Sequence, residues 1–290
     1  MASVNKIFKS PLRYPGGKTC IFKFVAKLLE ENDMVGTNYA EPYAGGAGLA
    51  LRLMMDEYVN EIYINDLDPS IYAFWFAVLN NSDELCKWIE DVDISIRQWE
   101  EYKEIQRQYK TVDTLELAKS TFFLNRTNVS GVISGGPIGG IAQCGKYKID
   151  VRFNKPELIK RIQEIARFAN RIHLSNQDGI DFLHSLDKRT DSVFIYLDPP
   201  YYQKGSYLYM NAFNDADHQE LAERVSQLKK KWMVSYDKHD FILKLYKDKN
   251  KVLYRLSQCA SNRVDDEVII FDDRLNYRES IKMLNTPIEL

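Results

Sequence analysis

A chain of 290 residues, 45% of them hydrophobic, has ample apolar material for one large domain or for a core with a smaller insertion. Its net charge is −2, from 39 Lys and Arg against 41 Asp and Glu, so a general polycation is excluded and any nucleic-acid surface must be local. Cys20, Cys86, Cys144 and Cys259 lack metal-ligand spacing, no apolar run reaches membrane-spanning length, and residues 1–10 have no signal-peptide core. The expectation is a soluble cytoplasmic protein in a reducing compartment, with no metal and no membrane partner.

The first feature in chain order is Arg13-Tyr14-Pro15-Gly16-Gly17-Lys18, ahead of an amphipathic helical pattern over 20–29. The spacing Gly-x4-Gly-Lys-Ser/Thr of a phosphate loop is absent. This leaves a tight turn, or a backbone that lets a ligand approach with Lys18 supplying a cation. Residues 38–43 read as a strand, and Glu41-Pro42-Tyr43-Ala44-Gly45-Gly46-Ala47-Gly48 as a glycine-rich turn into a helix over 49–57. Downstream, Ile62-Tyr63-Ile64-Asn65-Asp66 is a second strand that ends in an acid. A glycine turn followed by a strand-end acid is the arrangement that binds an adenosine-containing cofactor, although Asp66 before Pro69-Ser70 also reads as a helix cap.

From residue 69 to about 110 the pattern is helical, with Trp75, Trp88 and Trp99 on core faces, and 115–124 is a further helix. Residues 129–153 change character, with six glycines between short apolar pieces, and predict a hairpin or a mobile loop. Between residues 101 and 175 there are 13 Lys and Arg against 7 Asp and Glu, a local basic excess that fits a DNA backbone as well as a solvated face. The α/β rhythm then resumes. A strand over 171–174 leads to Asp178 and a helix, and polar loops are expected over 203–214 and 259–265.

The most informative stretch is Ile195-Tyr196-Leu197-Asp198-Pro199-Pro200-Tyr201. A β-branched and aromatic run of this kind makes a buried central strand, and two prolines end it. A carboxylate, exposed carbonyls and an aromatic ring are thereby presented at a strand's carboxyl end, where open α/β sheets bind ligands. A carboxylate and a carbonyl that accept hydrogen bonds from one amino group suit methylation of an exocyclic amine.

With these motifs in this order, the chain resembles the Dam-like, α-group DNA adenine-N6 methyltransferases almost end to end. Tyr14 to Lys18 is similar to that family's aromatic-x-Gly-Gly-Lys motif, with Tyr where Trp is usual. Glu41 to Gly46 is similar to its Glu-Pro-Phe-x-Gly cofactor turn, with Ala47 where Gly is frequent. Asp66 matches the ribose acid, Asp178 an acid near the cofactor adenine, Asp198 to Tyr201 the catalytic tetrapeptide, and Ser261-Asn262 a late-loop pair. The resemblance implies an α/β, Rossmann-like S-adenosylmethionine-dependent methyltransferase fold. Residues 1–70 and 168–290 would form a discontinuous catalytic domain, and 71–167 an inserted, mostly helical target-recognition domain carrying a hairpin.

The resemblance further implies S-adenosyl-L-methionine as cofactor, held by Tyr14, Lys18, Glu41, Pro42, Tyr43, Gly45, Asp66, Asp178 and Asp198. It implies catalysis by Asp198, Pro199 and Tyr201, with Tyr201 stacking on the base. It implies double-stranded DNA as partner, contacted by Arg126, Asn128, Lys146, Lys148 and Arg152, and a protein that acts as a monomer. Three rivals keep part of this chemistry: a methyltransferase on structured RNA, one on protein glutamine, and a catalytically silent DNA-binding relative. Glutamine-N5 methyltransferases share an Asx-Pro-Pro-Tyr tetrapeptide, but usually with Asn first and without the Gly-Gly-Lys motif or the basic insertion.

Overall fold

The computed structural model describes residues 10–14, 16–203, 213–257 and 264–290. Residues 1–9, Pro15, most of the Tyr-rich loop (204–212) and the late polar loop with Cys259, Ser261 and Asn262 lie outside them. The strands are β1 (Asn38–Glu41), β2 (Ile62–Asn65), β3 (Ile172–Ser175), β4 (Val193–Leu197), β5 (Trp232–Asp237), β6 (Asn250–Ser257), β7 (Val264–Phe271) and β8 (Ile288–Glu289). They form one sheet in the order β3-β2-β1-β4-β5-β7-β6-β8. The first five in that order pair in parallel, and β7 runs antiparallel to both neighbours. All five residues of β4 are buried, as expected where helices cover both faces of a parallel sheet.

This order contains a reversal. From β1 the chain builds outward to β2 and β3, then returns to lay β4 on the other side of β1. The loops leaving β1 and β4 therefore diverge, and the crevice between them is where a doubly wound sheet binds its ligand. The fold expectation holds at this level: a Rossmann-like α/β sheet with its motifs at the carboxyl ends of the strands.

The helices are α1 (Phe22–Glu31), α2 (Gly48–Met55), α3 (Pro69–Asn80), α4 (Ser82–Asp91), α5 (Ile96–Arg107), α6 (Thr114–Thr127), α7 (Lys155–Ala166), α8 (Gly179–Asp187), α9 (Asp215–Ser226) and α10 (Asp240–Leu245). Their starts follow local chemistry. Asp68 accepts from the Ser70 N–H with Pro69 in the first turn, Asp113 caps α6, and Asn154 caps α7. The helical stretch expected over 69–110 is three helices, because Asn81 leaves helical geometry and Ser95 caps a new start.

One apolar cluster joins Phe24 of α1 and Tyr39, Phe194 and Phe271 of the sheet to Phe74, Trp75, Phe122 and Phe123 of α3 and α6. The helices between β2 and β3 thus share the core of one sheet face. Burying each such aromatic contributes roughly 2–3 kcal/mol. Trp75 is fully buried, whereas Trp88 and Trp99 pack on the rim. The hairpin expected over 129–153 reduces to one antiparallel bridge, Asn128 to Pro137, followed by turns and a 3-10 segment at Ile149–Arg152. Left-handed backbone at Gly139, Gly140 and Gln143 breaks the alternation that a longer ladder needs.

Candidate active site

A cavity of about 550 Å³ opens at the carboxyl ends of β1, β2 and β4, within the size range of small-molecule sites. It is lined by Tyr14, Lys18, Glu41, Pro42, Tyr43, Asp66, Asp178 and Asp198, eight of the nine residues expected to hold a cofactor. The ninth, Gly45, sits behind Tyr14. Its φ is +45°, and a Cβ there would lie 2.6 Å from the Tyr14 ring, so only glycine fits this contact. Ala47, where Gly is frequent in the family, also has left-handed backbone (φ 45°), a strain of roughly 1 kcal/mol.

One side chain ties the strand-end loops together. Buried Asn65 donates to the carbonyls of Pro42 and Gln177, both at 3.0 Å, and accepts from the Gln177 N–H and the Ser175 hydroxyl. Asp66, next in sequence, accepts from the N–H groups of Gly45 (2.8 Å) and Asp68 (3.0 Å) and so braces the glycine turn. Burial, with Asp68 nearby, pushes the Asp66 carboxyl up to about 7. Burial likewise pushes Glu41 up to about 8, against hydrogen bonds from Tyr39 and the Ala50 N–H. Asp178 caps α8, and Tyr43 lies so close over Gly179 that any side chain there would collide.

Asp198 emerges from β4 onto the cavity wall. Its Oδ2 lies 3.0 Å from Lys18 Nζ, and its Oδ1 accepts from the Ser235 hydroxyl at 2.8 Å. Burial raises the Asp198 carboxyl and Lys18 draws it back down. Lys18 also donates to the Tyr201 hydroxyl (2.6 Å), which donates to Glu267 (2.7 Å). Burial and the neighbouring carboxylates raise the Tyr201 hydroxyl well above its usual value, so it remains a donor. Pro199 and Tyr201 are buried. Tyr201, expected to stack on a base, is 8% exposed and is not among the cavity-lining side chains.

The opposite wall comes from the helical layer. Asn125 pairs with the Arg13 backbone in both directions, at 2.8 Å each, and also donates to the Gly131 carbonyl. Lys103 donates to the carbonyls of Ile133, Ser134 and Gly135 and holds that loop at the cavity mouth. Sequence reasoning did not single out Lys103, Asn125, Ser235 or Glu267. For Ser235 a signal existed, since a polar residue inside a buried strand must have a partner, although the sequence does not name which one.

The five residues expected at DNA separate into two groups. Lys146, Lys148 and Arg152 are exposed on the 129–153 loop. Asn128 is fully buried; its amide accepts from Trp99 (2.6 Å) and donates to the carbonyls of Val132 and Ile133. Its capacity is spent on the loop's own shape, so it is not free to read a base in this arrangement. Arg126 is half-buried and donates to the carbonyls of Arg152 and Pro11. Burial and the nearby Arg13, Arg161 and Arg152 lower it to about 9. Among the described residues no group of three or more His, Cys, Asp or Glu could hold a metal ion, and no helix is long and apolar enough to cross a membrane.

Residues 14–259 match the family described as D12 class N6 adenine-specific DNA methyltransferases. The chain belongs to that family. It is therefore a DNA adenine methyltransferase with S-adenosylmethionine as methyl donor, and the cavity at the switch point, with its glycine turn and strand-end acids, fits that cofactor. Among curated relatives, it is 24% identical to the type II methyltransferase M.CviBI of Paramecium bursaria Chlorella virus NC1A, over 90% of this chain and 96% of that one. It is 22% identical to the type II methyltransferase M1.LlaDCHI of Lactococcus lactis subsp. cremoris, over 89% and 91%. Among solved structures it overlaps with the rRNA methyltransferase AviRa of Streptomyces viridochromogenes at 13% identity, over 97% and 93%, with a TM-score of 0.40. So loose an overlap decides nothing about this chain.

Proposed function

We propose that the protein methylates N6 of an adenine turned out of duplex DNA within a short recognition sequence. The observation that carries this reading is the position of Asp198, at the end of the central strand, on the cavity wall, with Lys18 and Ser235 on its two oxygens. When bound, S-adenosylmethionine supplies a sulfonium-activated methyl group for direct displacement. Asp198 and the Pro199 carbonyl accept the two N6 hydrogens, which localises a lone pair otherwise delocalised into the ring. Asp198 thus acts as an acceptor and orienter, and Tyr201 supports it from behind through Lys18.

Taking the adenine out of the stack costs a few kcal/mol, which contacts in the pocket must offset. Lys146, Lys148 and Arg152 meet backbone phosphates from the exposed loop, and the layer α3–α7 serves as the recognition unit. The test is to express the protein in a host without adenine methylation and sequence its DNA for N6-methyladenine. Methylation at one recurrent short sequence is expected. Unmodified DNA from cells whose purified protein still binds S-adenosylmethionine would overturn the reading.

A further inference from the structure

Three buried polar side chains lie beneath the catalytic tetrapeptide yet belong to none of the motifs that first marked the site: Ser235, Asp237 and Glu267. Strand geometry brings them together. Ser235 and Asp237 are two apart on β5 and point to the same face. Glu267 on β7 is the cross-strand partner of Asp237, so it shares that face. Each holds a different part of one short segment. Ser235 donates to Asp198, the Asp237 carboxylate accepts from the N–H groups of Tyr202 and Gln203 (2.9 Å each), and Glu267 accepts from the Tyr201 hydroxyl.

Burying a hydroxyl and two carboxyl groups costs free energy unless their bonds are made, and β-branched residues would serve strand pairing better. Each of the three bonds to residues 198–203, and Glu267 is itself held by the Tyr254 hydroxyl, which donates to its other oxygen at 2.6 Å. The direction of one chain follows from hydrogen counting. Ser235 has a single hydroxyl hydrogen, and it goes to Asp198. The 2.7 Å contact between Tyr196 and Ser235 therefore has Tyr196 as donor, so two hydroxyl dipoles in series point at the Asp198 carboxylate.

We infer that Ser235, Asp237 and Glu267 are positioning residues: they fix residues 198–203 on the sheet so that Asp198 presents one acceptor direction to the incoming amine. This rests on the proposed function, in which Asp198 accepts from N6. With Ser235 on Oδ1 and Lys18 on Oδ2, the carboxylate plane cannot turn without breaking a charge-assisted bond.

The test uses the full-length protein in steady-state methylation and cofactor-binding assays. Ser235→Ala should lower kcat on the order of tenfold, the scale of one hydrogen bond to a charged group. KM for DNA and the cofactor Kd should stay within about twofold, as for an interaction that matters in the transition state. Ser235→Thr, which keeps the hydroxyl, should recover most of the loss. Tyr196→Phe should give a smaller fall than Ser235→Ala, because the bond to Asp198 survives. An undiminished kcat in Ser235→Ala, a loss confined to cofactor affinity, or a Thr variant as poor as the Ala variant would each overturn the inference. An inactive wild type assayed alongside would instead count against the proposed function.

Discussion

The two walls of the cavity are built by opposite means. On the sheet side, Asp66, Asp198 and Asn65 are held by neighbouring strand ends, with hydrogen bonds made in the buried interior. On the other side, residues 129–153 make one isolated bridge and leave Val129, Ile141, Tyr147 and Val151 between 44% and 58% exposed beside Lys146, Lys148 and Arg152. The sheet wall is fixed by register, whereas the loop wall depends on a few side-chain bonds, notably from Lys103 to three carbonyls. Chemistry that needs sub-ångström aim sits on the rigid wall. A surface that must follow a groove can be irregular.

The strongest way to break this contrast is at the rigid wall. Asp198→Asn would place an amide N–H₂ against either the Lys18 or the Ser235 donor, and kcat should fall on the order of 10²–10³-fold. Single-turnover methylation would measure it. The loss should fall mainly on turnover rather than on DNA affinity, and near-wild-type turnover would remove Asp198 from its role.

A smaller effect of a different kind is expected from the loop. Replacing Lys146, Lys148 and Arg152 together with Ala should weaken DNA binding roughly 10–100-fold near physiological salt and make the log–log salt dependence shallower by about 3 units if each meets a phosphate. Turnover at saturating DNA should survive. An unchanged salt slope would mean that DNA does not lie across this loop.

The mildest prediction concerns pH. The Asp66 carboxyl is raised from its ordinary 3.8 to about 7 and Glu41 from 4.5 to about 8, so the folded protein holds protons that the unfolded chain has released. Their contribution to stability is complete below the ordinary values and is lost as pH rises through about 7 and about 8. If cofactor hydroxyls donate to ionised Asp66, binding tightens over the same interval and releases protons. Calorimetry in buffers of different ionisation enthalpy should detect that release, and Asp66→Asn should reduce it. Proton-neutral binding between pH 6 and 8 would contradict this account of Asp66.

Much of the rigid wall was legible in the sequence because its elements carry local punctuation. Glycines at 45 and 48, the acid that ends β2 and the prolines that stop β4 each act within a few residues. The partners of those motifs were not legible, since Ser235 and Glu267 approach from strands whose order no periodicity reveals. Asn128 misled for a related reason. A polar residue after a helix looks solvent-facing, yet Trp99, twenty-nine residues earlier, and two nearby carbonyls draw it fully inside. Composition marks residues 129–153 as glycine-rich and basic, but the loop's shape depends on side-chain bonds such as those of Lys103, which have no sequence signature.

The position of β7 has a consequence for how the protein comes into being. It lies between β5 and β6, although both of those strands precede it in the chain. As the polypeptide leaves the ribosome, β6 emerges with no neighbour to pair with until β7 has followed and inserted between it and β5. Glu267 arrives on that same strand and sets the Tyr201 hydroxyl against Lys18, from the chain's other end. Assembly of the catalytic centre thus rests on long-range pairing, and the centre closes only once β7 is in place. A nascent chain carries its methylation motifs well before it can use them.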